Sequence, residues 1–68
     1  MSSQTFTVTG MTCEHCVRAV TAEFSGLAGV LGVAVALATG AVTVHSQRTI
    51  DSAEAATAAD EAGYELTS

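Results

Sequence analysis

Val30-Leu31-Gly32-Val33-Ala34-Val35-Ala36-Leu37-Ala38-Thr39-Gly40-Ala41-Val42-Thr43-Val44 is the stretch on which the fold turns. Leu31, Val33, Val35 and Leu37 share one parity, and Gly32, Ala34, Ala36 and Ala38 share the other. Alternation with a period of two is the pattern of a strand, here over Val30–Ala38, with the larger side chains directed to a core. Thr39-Gly40 reads as a hairpin turn, and Ala41–Val44 as the returning strand with Val42 and Val44 inside.

On the N-terminal side, Val17, Val20, Phe24 and Leu27 fall at helical spacing from about Glu14 onward. Gly26 is suited to end that helix in a left-handed cap. Before the helix, Thr5-Phe6-Thr7-Val8-Thr9 alternates polar with apolar, a half-buried strand with Phe6 and Val8 inward. On the C-terminal side, Asp51 and Glu54 have the spacing of a capping box, and Ile50 can staple onto Ala55. An alanine-rich helix then runs to Gly63, and Tyr64-Glu65-Leu66 forms a short last strand with Leu66 inward. The order β-α-β-β-α-β reads as an α+β, ferredoxin-like split βαβ fold. Its four-stranded antiparallel sheet carries two helices on one face. The whole chain, residues 1–68, is expected to be one domain.

Charge and composition narrow the function. The net charge is −5, with two arginines and no lysine. Clustered cations for phosphate contacts are missing, which argues against nucleic acid and against anionic lipid. The uncharged run from Phe24 to Val44 is broken by glycines, Ser25, Thr39 and Thr43, too polar to span a membrane. Met1-Ser2-Ser3-Gln4 has neither a basic nor an apolar segment of a signal peptide. The cysteines are therefore expected in a reducing cytoplasm, where two closely spaced thiols bind metal or do redox chemistry more often than they staple a fold. No nucleophile–base pair, phosphate loop or pair of catalytic carboxylates is visible, so no enzyme is expected.

Both cysteines lie in Gly10-Met11-Thr12-Cys13-Glu14-His15-Cys16, at the junction of the first strand and the first helix. Soft thiolates select Cu(I), Zn(II) or iron–sulfur clusters. Structural zinc wants four donors and a cubane cluster four cysteines. The chain offers Cys13, Cys16, His15 and a distant His45. Cu(I) is content with two thiolates, the economical reading. The helix N-terminus favours the thiolate form of both cysteines. A thioredoxin-like redox site is the rival chemistry, and a disulfide across so short a loop would remove little unfolded-state entropy. Met11 is either a core residue, as its strand parity suggests, or a soft ligand. His15 is either a surface residue or one that tunes the thiols.

The Gly-Met-x-Cys-x-x-Cys motif, the element order and Gly63-Tyr64 before the last strand resemble the heavy-metal-associated domain family. That family includes small bacterial copper chaperones and the metal-binding modules of copper-transporting P-type ATPases. The resemblance implies Cu(I) held by Cys13 and Cys16, Met11 packed beneath the loop, and Tyr64 lying over it. Cys-x-His-Cys occurs often in the bacterial chaperones, which implies a tuning role for His15 and leaves a copper-bridged homodimer open. Tyrosine rather than lysine at position 64 is similar to the bacterial members. The expected function is that of a cytoplasmic copper chaperone delivering Cu(I) to the metal-binding domain of a copper-transporting P-type ATPase. The alternatives are an N-terminal domain of such an ATPase, or a mercury- or zinc-handling module of the same fold.

Overall fold

A computed structural model describes residues 2–67, so the two ends of the expected 1–68 domain lie outside the described residues. Its elements are β1 (Ser2–Thr9), α1 (Glu14–Ser25), β2 (Val30–Ala36), β3 (Ala41–Ser46), α2 (Ser52–Glu61) and β4 (Glu65–Leu66). The strands form one sheet in the order β2-β3-β1-β4, every neighbouring pair antiparallel. β1 and β3 are central, and the two helices join them to the edge strands, which is the expected ferredoxin-like arrangement.

The helices pack on the face of the sheet where period-two and helical patterns converge. Phe6 and Val8 of β1 and Val42 and Val44 of β3 meet Val20 and Phe24 of α1 and Ala55, Ala58 and Ala59 of α2. Phe6 and Phe24 pack as a tilted pair with ring centroids 6.1 Å apart. Alanines on the inner side of α2 let it lie close to its neighbours, while Ile50, just before the helix, fills the space that those small residues leave. The Asp51–Glu54 capping box forms, with Asp51 N–H donating to Glu54 Oε1 at 3.4 Å. At the other end Gly63 N–H donates to Asp60 O and Tyr64 N–H to Ala59 O, the pair of bonds of a Schellman ending.

Three details depart from the sequence expectations. Leu31 points to solvent rather than to the core, because β2 is bulged: Val30 pairs with Ser46 and Gly32 with His45, leaving Leu31 as an extra residue. Val33 and Val35 keep the inward orientation, as the alternation resumes after the bulge. β2 also ends at Ala36, so Leu37 and Ala38 join Thr39-Gly40 in a four-residue turn, and Leu37 is exposed. Gly26 has φ −76°, an ordinary right-handed conformation, so it ends α1 without a left-handed cap.

Two side chains, neither of them singled out by the sequence, tie the β3–α2 connection down. Gln4 accepts from Ile50 N–H at 2.7 Å and donates to Ile50 O at 3.0 Å. Arg48 donates to both carboxylate oxygens of Glu54, at 2.9 and 2.7 Å, and through Nε to Ala28 O at 2.9 Å.

Candidate metal site

The end of β1 and the start of α1 bring the two thiols together. Cys13 is the N-cap residue, extended at φ −159° and ψ 175°, and its carbonyl accepts from Cys16 N–H and Val17 N–H. A reversal so tight places Cys16 on the first helical turn, with its sulfur turned back toward the loop. Cys13 Sγ and Cys16 Sγ are 3.6 Å apart. Both are free thiols, Cys13 exposed and Cys16 buried to 7% exposure. The pair is thus asymmetric: one sulfur is fixed and the other reaches solvent.

Cys16 is set up as a thiolate. Its pKa falls from 9.0 to about 6, chiefly through the Thr12 backbone N–H and then the Tyr64 hydroxyl. Burial opposes the shift, and the Cys13 N–H and side chain add to it. Each donor favours the charged sulfur, and the field of the helix N-terminus acts in the same sense. The reciprocal effect appears on Tyr64, whose phenol is pushed above its ordinary value by the hydrogen bond to Cys16 and by partial burial. Tyr64 reaches this place because the Schellman ending of α2 delivers it straight to the loop. The Tyr64 ring also lies where a side chain at position 10 would be: a Cβ on Gly10, at φ +96°, would meet Tyr64 Cδ1 at 3.2 Å. Glycine at position 10 therefore serves both the backbone turn and the approach of the ring.

The structure sorts the remaining expected residues. Met11 is partly buried and packed against the core, the position its parity predicts. His15 is exposed on α1 between the two cysteines. His45 pairs with Ser3, six residues of strand before Thr9, so about 20 Å of β1 separates it from the loop. Among the described residues no cluster of three or more His, Cys, Asp or Glu side chains forms. Thr12 is the residue that the sequence reading missed. Its Oγ1 lies 3.9 Å from Cys16 Sγ in addition to its backbone contact, and the i, i+4 spacing to Cys16 was the available signal.

Comparison with known proteins bears on the same features. Residues 5–65 match the model of the heavy-metal-associated domain. The chain superposes on the CopZ metallochaperone with a TM-score of 0.88 at 28% identity, covering 97% of this chain and 100% of that one. A copper binding domain from HMA7, a P-type ATPase, gives 0.88 at 28% identity, covering 98% and 92%. The N-terminal domain of ZntA in its apo form gives 0.86 at 35% identity, covering 97% and 89%. No curated protein sequence matches the chain. No helix among the described residues is long and apolar enough to cross a membrane.

Proposed function

The chain belongs to the heavy-metal-associated domain family, and from that premise we propose that it is a cytoplasmic copper chaperone. It holds Cu(I) between Cys13 Sγ and Cys16 Sγ and passes the ion to the metal-binding domain of a copper-transporting P-type ATPase. Residues 1–68 act in this reading as a single carrier domain. Members of the family known as metallochaperones and as ATPase copper-binding domains have the same architecture, which suits a donor and an acceptor built alike.

The observation that carries the proposal is the pair of sulfurs 3.6 Å apart, one favoured as thiolate, with no third His, Cys, Asp or Glu gathered beside them among the described residues. A tetrahedral ion with metal–sulfur bonds of about 2.3 Å sets its sulfurs ~3.8 Å apart, and a linear one ~4.6 Å. The resting distance is closer to the tetrahedral value, so linear Cu(I) requires the sulfurs to part by about 1 Å. Exposed Cys13 can move by that amount without disturbing the core, while Cys16 stays in place. Donor number outweighs the distance: a tetrahedral ion would need two further ligands from outside the chain, whereas Cu(I) is satisfied by two soft thiolates.

The same asymmetry suits transfer. Cargo on an exposed Cys13 can accept an incoming thiolate as a third ligand before Cys13 lets go, and Cys16 releases last. Tyr64 stabilises the Cys16 thiolate when the ion leaves, Met11 supports the loop from below, and His15 tunes the exposed side. Zinc is the second reading, favoured by the resting sulfur separation. A domain within a longer ATPase would use the same site as acceptor.

The test is a transfer experiment. Cu(I)-loaded chain, mixed anaerobically with the metal-binding domain of a copper-transporting P-type ATPase and then separated from it, should share its copper with that domain. Copper retained wholly on the donor would contradict delivery. Displacement of bound Cu(I) by equimolar Zn(II) would favour the zinc reading.

A further inference from the structure

Access separates the two thiols. Cys13 is the N-cap residue of α1, yet its side chain makes no capping hydrogen bond, and it is exposed. Its sulfur is free to swing. Cys16 is buried, and its sulfur accepts from the Thr12 N–H and the Tyr64 hydroxyl. The two sulfurs lie 3.6 Å apart, in contact but unbonded.

Copper and oxidation ask opposite motions of the same side chain. Linear Cu(I) parts the sulfurs by about 1 Å, whereas a disulfide bond of about 2.05 Å closes them by ~1.5 Å. Either displacement falls on exposed Cys13 and leaves the core in place. An exposed thiol beside a second cysteine is the arrangement in which one sulfur meets the oxidant and the other resolves the product.

We propose that the empty metal site is also a thiol–disulfide exchange site, where Cys13 takes up half of a low-molecular-weight disulfide and Cys16 displaces it. The product is a Cys13–Cys16 disulfide with no thiolate left for a metal. Only this consequence, the loss of copper binding, rests on the proposed function.

The exchange runs in two displacements. Cys13, as thiolate, attacks one sulfur of the small disulfide. That S–S bond breaks, and its electron pair leaves on a small thiolate, which takes up a proton. Cys16 then attacks Cys13 Sγ, the new mixed S–S bond breaks, and a second small thiolate leaves and is protonated. The two cysteines lose two electrons and two protons, and the small disulfide becomes two thiols. Burial of Cys16 makes the order of attack one-way: an outside disulfide reaches Cys13, and only Cys13 is within reach of Cys16.

The closed state is built to reopen. A loop this short gains little stability from its disulfide. A reducing thiol can attack at exposed Cys13, and the Thr12 and Tyr64 donors stabilise the Cys16 sulfur as it leaves. Bound Cu(I) engages both sulfurs, so the exchange acts on the empty carrier and spares the loaded one.

Reduced, metal-free chain treated anaerobically with oxidised glutathione, quenched in acid and weighed by mass spectrometry, tests the proposal. The parent should end lighter by two hydrogen atoms, with no glutathione attached. Cys16→Ser should stop as a stable adduct carrying one glutathione. Cys13→Ser should stay unmodified over the same time while folded and become labelled in urea, because burial protects Cys16. The Cu(I)-loaded parent should remain reduced, and the oxidised parent should lose its competition for Cu(I) until a dithiol restores it. A parent that stops at the adduct, folded Cys13→Ser labelled as fast as Cys16→Ser, equal oxidation with and without Cu(I), or an oxidised chain that still takes Cu(I) would overturn the proposal. The exchange is read on metal-free protein, so a reduced chain that took up no Cu(I) would count against the proposed function alone.

Discussion

Replacing Tyr64 by phenylalanine removes one hydroxyl and keeps the ring that closes over Gly10. In the parent, Cys16 titrates near 6 instead of 9.0, with the Thr12 N–H the largest cause and the Tyr64 hydroxyl the second. A hydrogen bond to the charged form lowers an acid's pKa by about one unit. The Tyr64→Phe variant should therefore titrate at roughly 7, the Thr12 and Cys13 donors retaining the rest of the shift. At pH 7 the thiolate fraction of Cys16 falls from about nine tenths to about one half. Thiolate absorbance followed against pH in a Cys13→Ser background reads this directly, because only one thiol remains. The converse uses the one tyrosine of a chain without tryptophan: in Cys16→Ser the phenolate band should appear at lower pH, since the thiolate that raised Tyr64 is gone. Linkage gives a third readout. A thiol whose folded pKa is depressed contributes stability present above its unfolded pKa and lost as pH falls through the folded one. The parent should lose that contribution between pH 9.0 and about 6, and the variant should lose it over a narrower interval ending about a unit higher. Coincident thiol titrations in parent and variant would refute the assignment of Tyr64 as a donor.

Other expectations concern the frame around the site. A Cβ on Gly40, at φ +74°, would stand 2.5 Å from Val8 O, whereas one on Gly63, at φ +90°, meets nothing within 4 Å. Gly40→Ala should thus lower the urea midpoint clearly more than Gly63→Ala, which bears only the conformational cost of about 1–2 kcal/mol. Glu54 sits below its usual pKa of 4.5 because of Arg48, so its contribution is present above 4.5 and lost on acidification. Glu54→Gln should lower the melting temperature at neutral pH and flatten its decline in acid. Excess Cu(I), added anaerobically, should raise the melting temperature by binding the folded loop. A thousandfold excess over Kd corresponds to about 4 kcal/mol, and the rise should be absent in the Cys13→Ser/Cys16→Ser double variant.

Much of this architecture is legible in the sequence because local signals agree with the tertiary result. Phe6 and Val8, Val42 and Val44, and Val20 and Phe24 declare their faces by period, and Asp51, Glu54 and Gly63 mark the ends of α2. The bulge at Leu31 is illegible because the alternation around it is unbroken; only pairing with β3 shows that one residue is spare. Gly26 misleads because its flexibility permits a left-handed cap without requiring one. At the candidate site the Cys13–Cys16 spacing announces a shared function. Their inequality depends chiefly on the Thr12 N–H within the loop and then on Tyr64, which is distant in sequence and adjacent in space. Thr12 lies in between: its spacing to Cys16 is visible, but its backbone donation depends on the loop conformation.

The central claim is that Cys13 and Cys16 together form the copper site, and competition for Cu(I) against a high-affinity chelator tests it most directly. The parent should take one Cu(I) per chain from the chelator, with two sulfur ligands seen by X-ray absorption, and Cys13→Ser and Cys16→Ser should each lose the ability to compete. If either single variant competes as well as the parent while remaining folded, the two-thiolate account is wrong.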